Sequence, residues 1–309
     1  MKNKATAYTR LLSTPDSVVW YWVYTLCMRR QEPKHIAWKP LLLLALFFLV
    51  SWSGASFAHS PIFMLAPEAP GKEAFDLHTG ISHTRQGDDR YSELEQEFTY
   101  GITRDLALGF AIPLAREERA SKEVKQTAKM GIENPEIFTQ WRFWDRDVLG
   151  AKYSSALRLT GAAPLGDKSI ASEKPSFMAG LSYGMESLKW YYFVDARYLH
   201  NLEDDGSKRG DRFFADAAVG LRPHLGKLEE TDTVFFLEFN FMNEQRSKTG
   251  GAGNPDSGGS YLSVSPEVLI SPTNRLLIRG GVQIPIYQAM NGTQAPKDFT
   301  FKLVIETRY

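Results

Sequence analysis

Three carboxylates, Glu93, Glu95 and Glu97, recur at every second residue. In an extended chain that spacing turns all three to one side. Anions in such a row repel one another unless cations or arginines neutralise them, which makes them candidate contacts for a solute or a cation. Seven further charged residues of matching phase complete the candidate set: Arg142, Arg158, Asp195, Arg197, Asp216, Glu238 and Arg279. The competing reading is structural pairing between neighbouring strands, because an unpaired buried charge is costly.

Metal and enzyme chemistry have thinner support. If export cleavage follows Ala58, the chain begins at His59, whose amine and imidazole together suit Cu(II); His78 or His83 could add a nitrogen. The competing reading of His59 is an ordinary disordered terminus. No Gly-x-Ser-x-Gly elbow and no His-Glu-x-x-His segment occurs. Ser82 and His83 are adjacent and so point to opposite faces of a strand. We expect no catalytic residue and no cofactor.

These charges need elements that hold them on one face, and the hydropathy pattern supplies them. In the last segment Phe299, Phe301, Leu303, Ile305, Thr307 and Tyr309 fall on one side. Lys302, Glu306 and Arg308 fall on the other. Period-two alternation of this kind marks strands with one apolar and one wet face. Twelve such segments are legible: 73–85, 91–102, 106–115, 132–144, 151–161, 176–185, 188–199, 212–221, 232–243, 260–270, 275–286 and 299–309. An even number, joined alternately by short turns and longer loops, predicts an all-β transmembrane antiparallel up-and-down barrel. Aromatic placement agrees. Tyr100, Trp141, Phe143, Trp190 and Tyr309 fall near one end of their segments, and Phe177, Tyr198, Phe213 and Phe299 near the other. Aliphatic residues such as Leu181, Val194 and Leu237 lie between, as expected of a lipid-facing band with two aromatic girdles.

Residues 1–58 read as a leader and signal peptide, with 59–309 as the barrel. The apolar run Leu41–Val50 is too short to span a bilayer. It follows basic residues and precedes Ser56-Phe57-Ala58, the layout of a cleaved secretory signal; Met28 is an alternative start. Seven of the 36 bases and two of the 36 acids lie in that segment, which leaves 29 and 34 and a net charge of −5. An acidic balance argues against nucleic acid as a partner. The single cysteine, Cys27, also lies there, so 59–309 has neither disulfide nor thiolate metal site.

Period two also assigns Lys152, Lys189, Arg222, Lys302, Arg308, Glu136, Glu267, Asp298 and Glu306 to the inward face. Acids and bases there nearly balance, so strong ion selectivity is not predicted. Eight-stranded barrels are filled by side chains and sixteen-stranded ones leave a channel; twelve predicts a narrow or constricted lumen.

The chain resembles the outer-membrane transporters grouped under the MetA pathway of phenol degradation. The resemblance rests on His59-Ser60-Pro61-Ile62-Phe63, on the strand-turn-strand stretch from Glu97 to Pro113, and on Gly131–Phe138 with Gln140–Phe143. It implies a cell outer membrane location and passage of small, often hydrophobic or aromatic, compounds. The expected partners are outer-membrane lipid, a small solute, and the barrel assembly machinery, through the C-terminal strand ending in Tyr309. Two other readings stand beside the channel: a non-conducting barrel acting in binding, adhesion or structure, and an enzyme on the barrel rim.

Overall fold

The computed structural model describes residues 59–119, 127–224 and 231–309. The leader, the signal peptide, Met28 and Cys27 lie outside the described residues. All described residues belong to the compact unit Ser51–Tyr309.

Twelve long antiparallel strands form the wall: β1 (Phe75–Gln86), β2 (Asp89–Gly101), β3 (Leu106–Arg119), β5 (Glu136–Val148), β6 (Ala151–Ala162), β7 (Ser176–Ser187), β8 (Trp190–Asn201), β9 (Arg212–Leu221), β10 (Asp232–Glu244), β13 (Gly259–Thr273), β14 (Leu276–Met290) and β15 (Lys297–Arg308). Each pairs with the next, and β1 pairs with β15 from Asp76↔Arg308 to Gln86↔Lys297, so the sheet closes. Closure leaves no open edge, which a sheet inside a bilayer requires because nothing there satisfies free N–H and C=O groups. Three short strands are additional. β4 (Thr127–Ile132) extends the outer part of β3, and β11 (Lys248–Thr249) with β12 (Ala252–Gly253) forms a small hairpin in a loop.

The outward face is apolar. Leu181, Val194 and Leu237 are exposed in the middle of their strands, as is Trp141 on β5, with Trp190, Tyr198 and Phe213 exposed nearer the ends. Gln96, the polar interruption on β2, accepts from Thr79 Oγ1 at 2.9 Å and donates to the His78 carbonyl at 2.7 Å. Its amide is thus satisfied within the wall and not left open to hydrocarbon. A register shift between Arg142 and Trp144 turns both Phe143 and Trp144 outward, as a bulge does.

Three expectations need correction. The fourth segment, predicted as one strand over 132–144, divides: β4 ends at Ile132 and the barrel strand resumes at Glu136. Pro135 between them has no N–H to continue a ladder. Lys189 is not a lumen residue; it is exposed in the two-residue turn between β7 and β8. Asp298 is not one either. The register shift beside Gln86 moves it to the outer rim, where Oδ2 lies 3.3 Å from Arg85 and accepts from Gly87 N.

Candidate functional site

Residues 59–74 are not a loose terminus. They enter the barrel and bind one half of its lumen. The inward face of β8, β10, β13 and β14 carries an apolar cluster of Tyr191, Phe193, Val234, Phe236, Leu269 and Leu277, into which Met64 packs. Above it, wall carboxylates accept the segment's backbone hydrogens. Ile62 N donates to Glu238 Oε1 and to Glu267 Oε2, each at 2.9 Å. Phe63 N donates to Glu238 Oε1 at 3.1 Å, and Leu65 N to Asp195 Oδ1 at 3.2 Å. Arg279 Nη1 donates to Ser60 Oγ at 2.8 Å, and Gln140 Nε2 to the carbonyls of Ala66 and Glu68. Wall side chains thereby satisfy much of the backbone over 60–68, while Glu73 and Ala74 pair with the Gly101 backbone on β2.

The wall is shaped for this guest. A Cβ at Gly101 on β2 would lie 2.0 Å from the Gly71 carbonyl oxygen. Only glycine lets the two backbones come so close.

Beside the start of β10, His59 is buried, with Nε2 3.0 Å from Asp232 and its ring 5.5 Å from that of Tyr191. Its backbone nitrogen donates to Glu186 Oε2 at 3.3 Å, and Arg222 bridges to Asp232 at 2.9 Å. The three histidines of the copper expectation do not converge on one cluster. His78 lies 3.6 Å from Glu97 and 3.4 Å from Glu306, while His83 bonds Ser92. Both carboxylate oxygens of Glu68 are buried without a hydrogen-bond partner. Burial, and then the Glu186 carboxylate, push the Glu68 pKa well above its ordinary range.

Because the segment hugs one half of the lumen, the other half stays open. A cavity of about 300 Å³ lies between the segment and the wall formed largely by β15, β1, β2, β3 and β5. Of the predicted contacts, Glu95, Glu97, Arg158, Arg197 and Arg279 line it. Arg158 donates to Glu97 Oε2 at 2.9 Å and lies 3.5 Å over the Phe138 ring. Arg197 is held between Asp195, at 2.8 Å, and Asp216.

The remaining candidates sit elsewhere. Asp195 and Glu238 hold the segment, and Asp216 holds Arg197. Arg142 binds Asp105 and the Arg104 carbonyl, each at 2.7 Å, and so clamps the turn between β2 and β3. Glu93 accepts from Tyr91 Oη at 2.7 Å. Glu136, Lys302, Phe138 and Met178 line the cavity and were not among the chosen candidates, and His78, named only for copper, lines it too. Period two had placed Glu136 and Lys302 inside, and nothing in the sequence told which half of the lumen would stay open.

No protein-family model matches the chain, and no curated protein sequence does. Solved structures are similar. The COG4313 outer membrane channel from Pseudomonas putida F1 superposes with a TM-score of 0.64 at 11% identity, over 81% of this chain and 100% of that one. The β domain of the Bordetella autotransporter BrkA gives 0.48 at 10% identity, over 78% and 100%. The NanC porin gives 0.46 at 8%, over 75% and 98%. At such identities the first likeness establishes the fold alone, that of an outer-membrane β-barrel.

Proposed function

We propose that this protein is an outer-membrane channel through which a small solute passes beside the protein's own N-terminal segment. The observation that carries the reading is the cavity of about 300 Å³, lined by charged side chains and left between segment and wall. A space of that size suits a small solute. The family resemblance points to the phenol-degradation transporters and to small, often aromatic, compounds; the Phe138 ring and Met178 on the cavity wall are compatible with such a guest. Catalysis plays no part in this reading.

A second reading has its own support. The segment fills the apolar half of the lumen and is tied by at least four backbone hydrogen bonds to buried carboxylates. A barrel so filled could be non-conducting and work by binding. Planar-bilayer recording on the full chain separates the two: discrete conductance steps support the channel, and silence at high protein load supports the filled barrel. Recognition by the barrel assembly machinery is proposed through β15 and Tyr309, whose ring stacks on Phe75 at 4.7 Å beside the closing seam. Refolding yield with purified assembly machinery, compared for the full chain and a Tyr309→Ala variant, tests this.

A further inference from the structure

We infer that the lumen prefers cations to anions and that Glu95 and Glu136 set this preference. The inference rests on the channel reading. A count of lumen charges along the sequence gives near balance, but the structure commits the two signs differently.

The bases that line the cavity are mostly occupied. Arg158 is bound to Glu97, and Arg197 lies between two aspartates. Arg279 joins Glu306 at 2.7 Å and the segment's Ser60, and Arg308 joins Glu306 at 2.5 Å. Asp76, His78 and Glu306 lie close enough together to suggest a metal site, but the two arginines already on Glu306 neutralise that corner. Among the described residues, Lys302 is the one basic side chain on the cavity that makes no ion pair or hydrogen bond.

The acids are placed otherwise. Glu95 and Glu136 both line the cavity, are half-buried, and make no hydrogen bond or ion pair among the described residues. An independent observation on the same wall points the same way. The Tyr91 hydroxyl lies 2.7 Å from Glu93 Oε2 and 3.0 Å from Glu133 Oε1. One hydroxyl hydrogen serves only one of these carboxylates, so the other is open to water, a proton or a cation. On the cavity wall two carboxylates, Glu95 and Glu136, thus stand without a bonded partner against one such base, Lys302. Carboxylates lining a pore favour cations.

The magnitude follows from Coulomb's law. An ion passing about 4 Å from one carboxylate in water-like surroundings gains an interaction worth roughly fivefold in occupancy. The test is the reversal potential of single channels of the full chain under a KCl gradient. Glu95→Gln, Glu136→Gln, the double variant and Lys302→Gln are compared with the parent. The expected result is a preference for K⁺ over Cl⁻ that falls towards unity in the double variant and rises in Lys302→Gln. A Cl⁻ preference in the parent, or an unchanged ratio in the double variant, overturns the inference and leaves the channel standing. Absence of any conductance removes both. If the double variant does not fold, the parent's ratio and the two single variants still decide.

Discussion

Replacing Glu238 by Ala should free the N-terminal segment without opening the wall. Glu238 is fully buried and receives N–H groups from Ile62 at 2.9 Å and Phe63 at 3.1 Å. A hydrogen bond to a charged acceptor contributes about 1.5–3 kcal/mol net, so two contribute about 3–6 kcal/mol. Glu267 still accepts from Ile62 at 2.9 Å, which retains about half. Losing about 3 kcal/mol corresponds to roughly a hundredfold rise in the detached population. Hydrogen exchange of the 59–66 amides, read by mass spectrometry, should accelerate by that factor while strand amides stay protected. Glu238→Gln is the control. Its carbonyl still accepts both N–H groups, and its neutrality removes the repulsion between two carboxylates that share one N–H. It loses the bond from Asn240, now 3.0 Å from Oε2, so the net change should stay within about 1 kcal/mol. Unchanged exchange in Glu238→Ala, or equal acceleration in both variants, would refute the assignment of Glu238 as an anchor of the segment.

Other expectations follow from the same geometry. Gly101→Ala puts a methyl group against the Gly71 carbonyl and should cost about 1–3 kcal/mol by overpacking, seen as faster exchange at 70–74. Val194→Arg places a charge in the middle of the lipid-facing band and should cost about 2–4 kcal/mol in folding titrations from urea into vesicles; a loss as small as that of a loop substitution would contradict the membrane-spanning assignment. At the outer end, burial alone would raise the Asp211 carboxyl, but the Lys208 ammonium and the N–H of Asn201 outweigh it and hold it at about 2, below its ordinary 3.8. A depressed pKa stabilises fully above the ordinary value, and the contribution is lost as pH falls through about 2. Exchange protection of the Asn201 amide should therefore persist at pH 5 and fade between about pH 4 and 2, and protection that is flat over that range would exclude the linkage.

The wall was legible because a single rule, alternation between lipid and lumen, governs most of its residues. Eleven barrel strands fall where period two places them, the fourth starts late at Glu136, and Glu95, Arg158 and Arg279 line the lumen cavity. Misplacements occur where the rule is locally broken. A bulge beside Gln86 took Asp298 to the rim, and Pro135 divided a segment. The larger omission was residues 59–74. That stretch has no alternation, since over 60–68 wall side chains, and not a neighbouring strand, satisfy its backbone. A signal for it did exist elsewhere in the sequence. Trp190–Val194 and Val234–Leu237 are unbroken apolar runs in strands that should alternate. Such a run makes the inward face apolar too, and an apolar patch facing a wet lumen calls for a cover.

That cover explains why the open space is charged. Over residues 62–65 the segment has two kinds of contact, Met64 on the apolar cluster and backbone N–H groups on Glu238, Glu267 and Asp195. Both kinds lie on the β8–β14 side. The opposite side, from β15 through β2 to β5, holds only its later part, through Gln140 on the carbonyls of Ala66 and Glu68 and through Gly101 beside Gly71. Segment position and cavity chemistry thus have one cause, the unequal distribution of apolar residues around the inner face. It follows that removing the segment would not simply widen the passage. It would bare Tyr191, Phe193 and Phe236 to water and leave Glu238 Oε1 and Glu267 Oε2 without donors. Deleting residues 60–71 should therefore lower barrel stability as well as raise conductance. A deletion variant as stable as the parent would show that the segment is a passenger and that the wall alone sets the shape of the lumen.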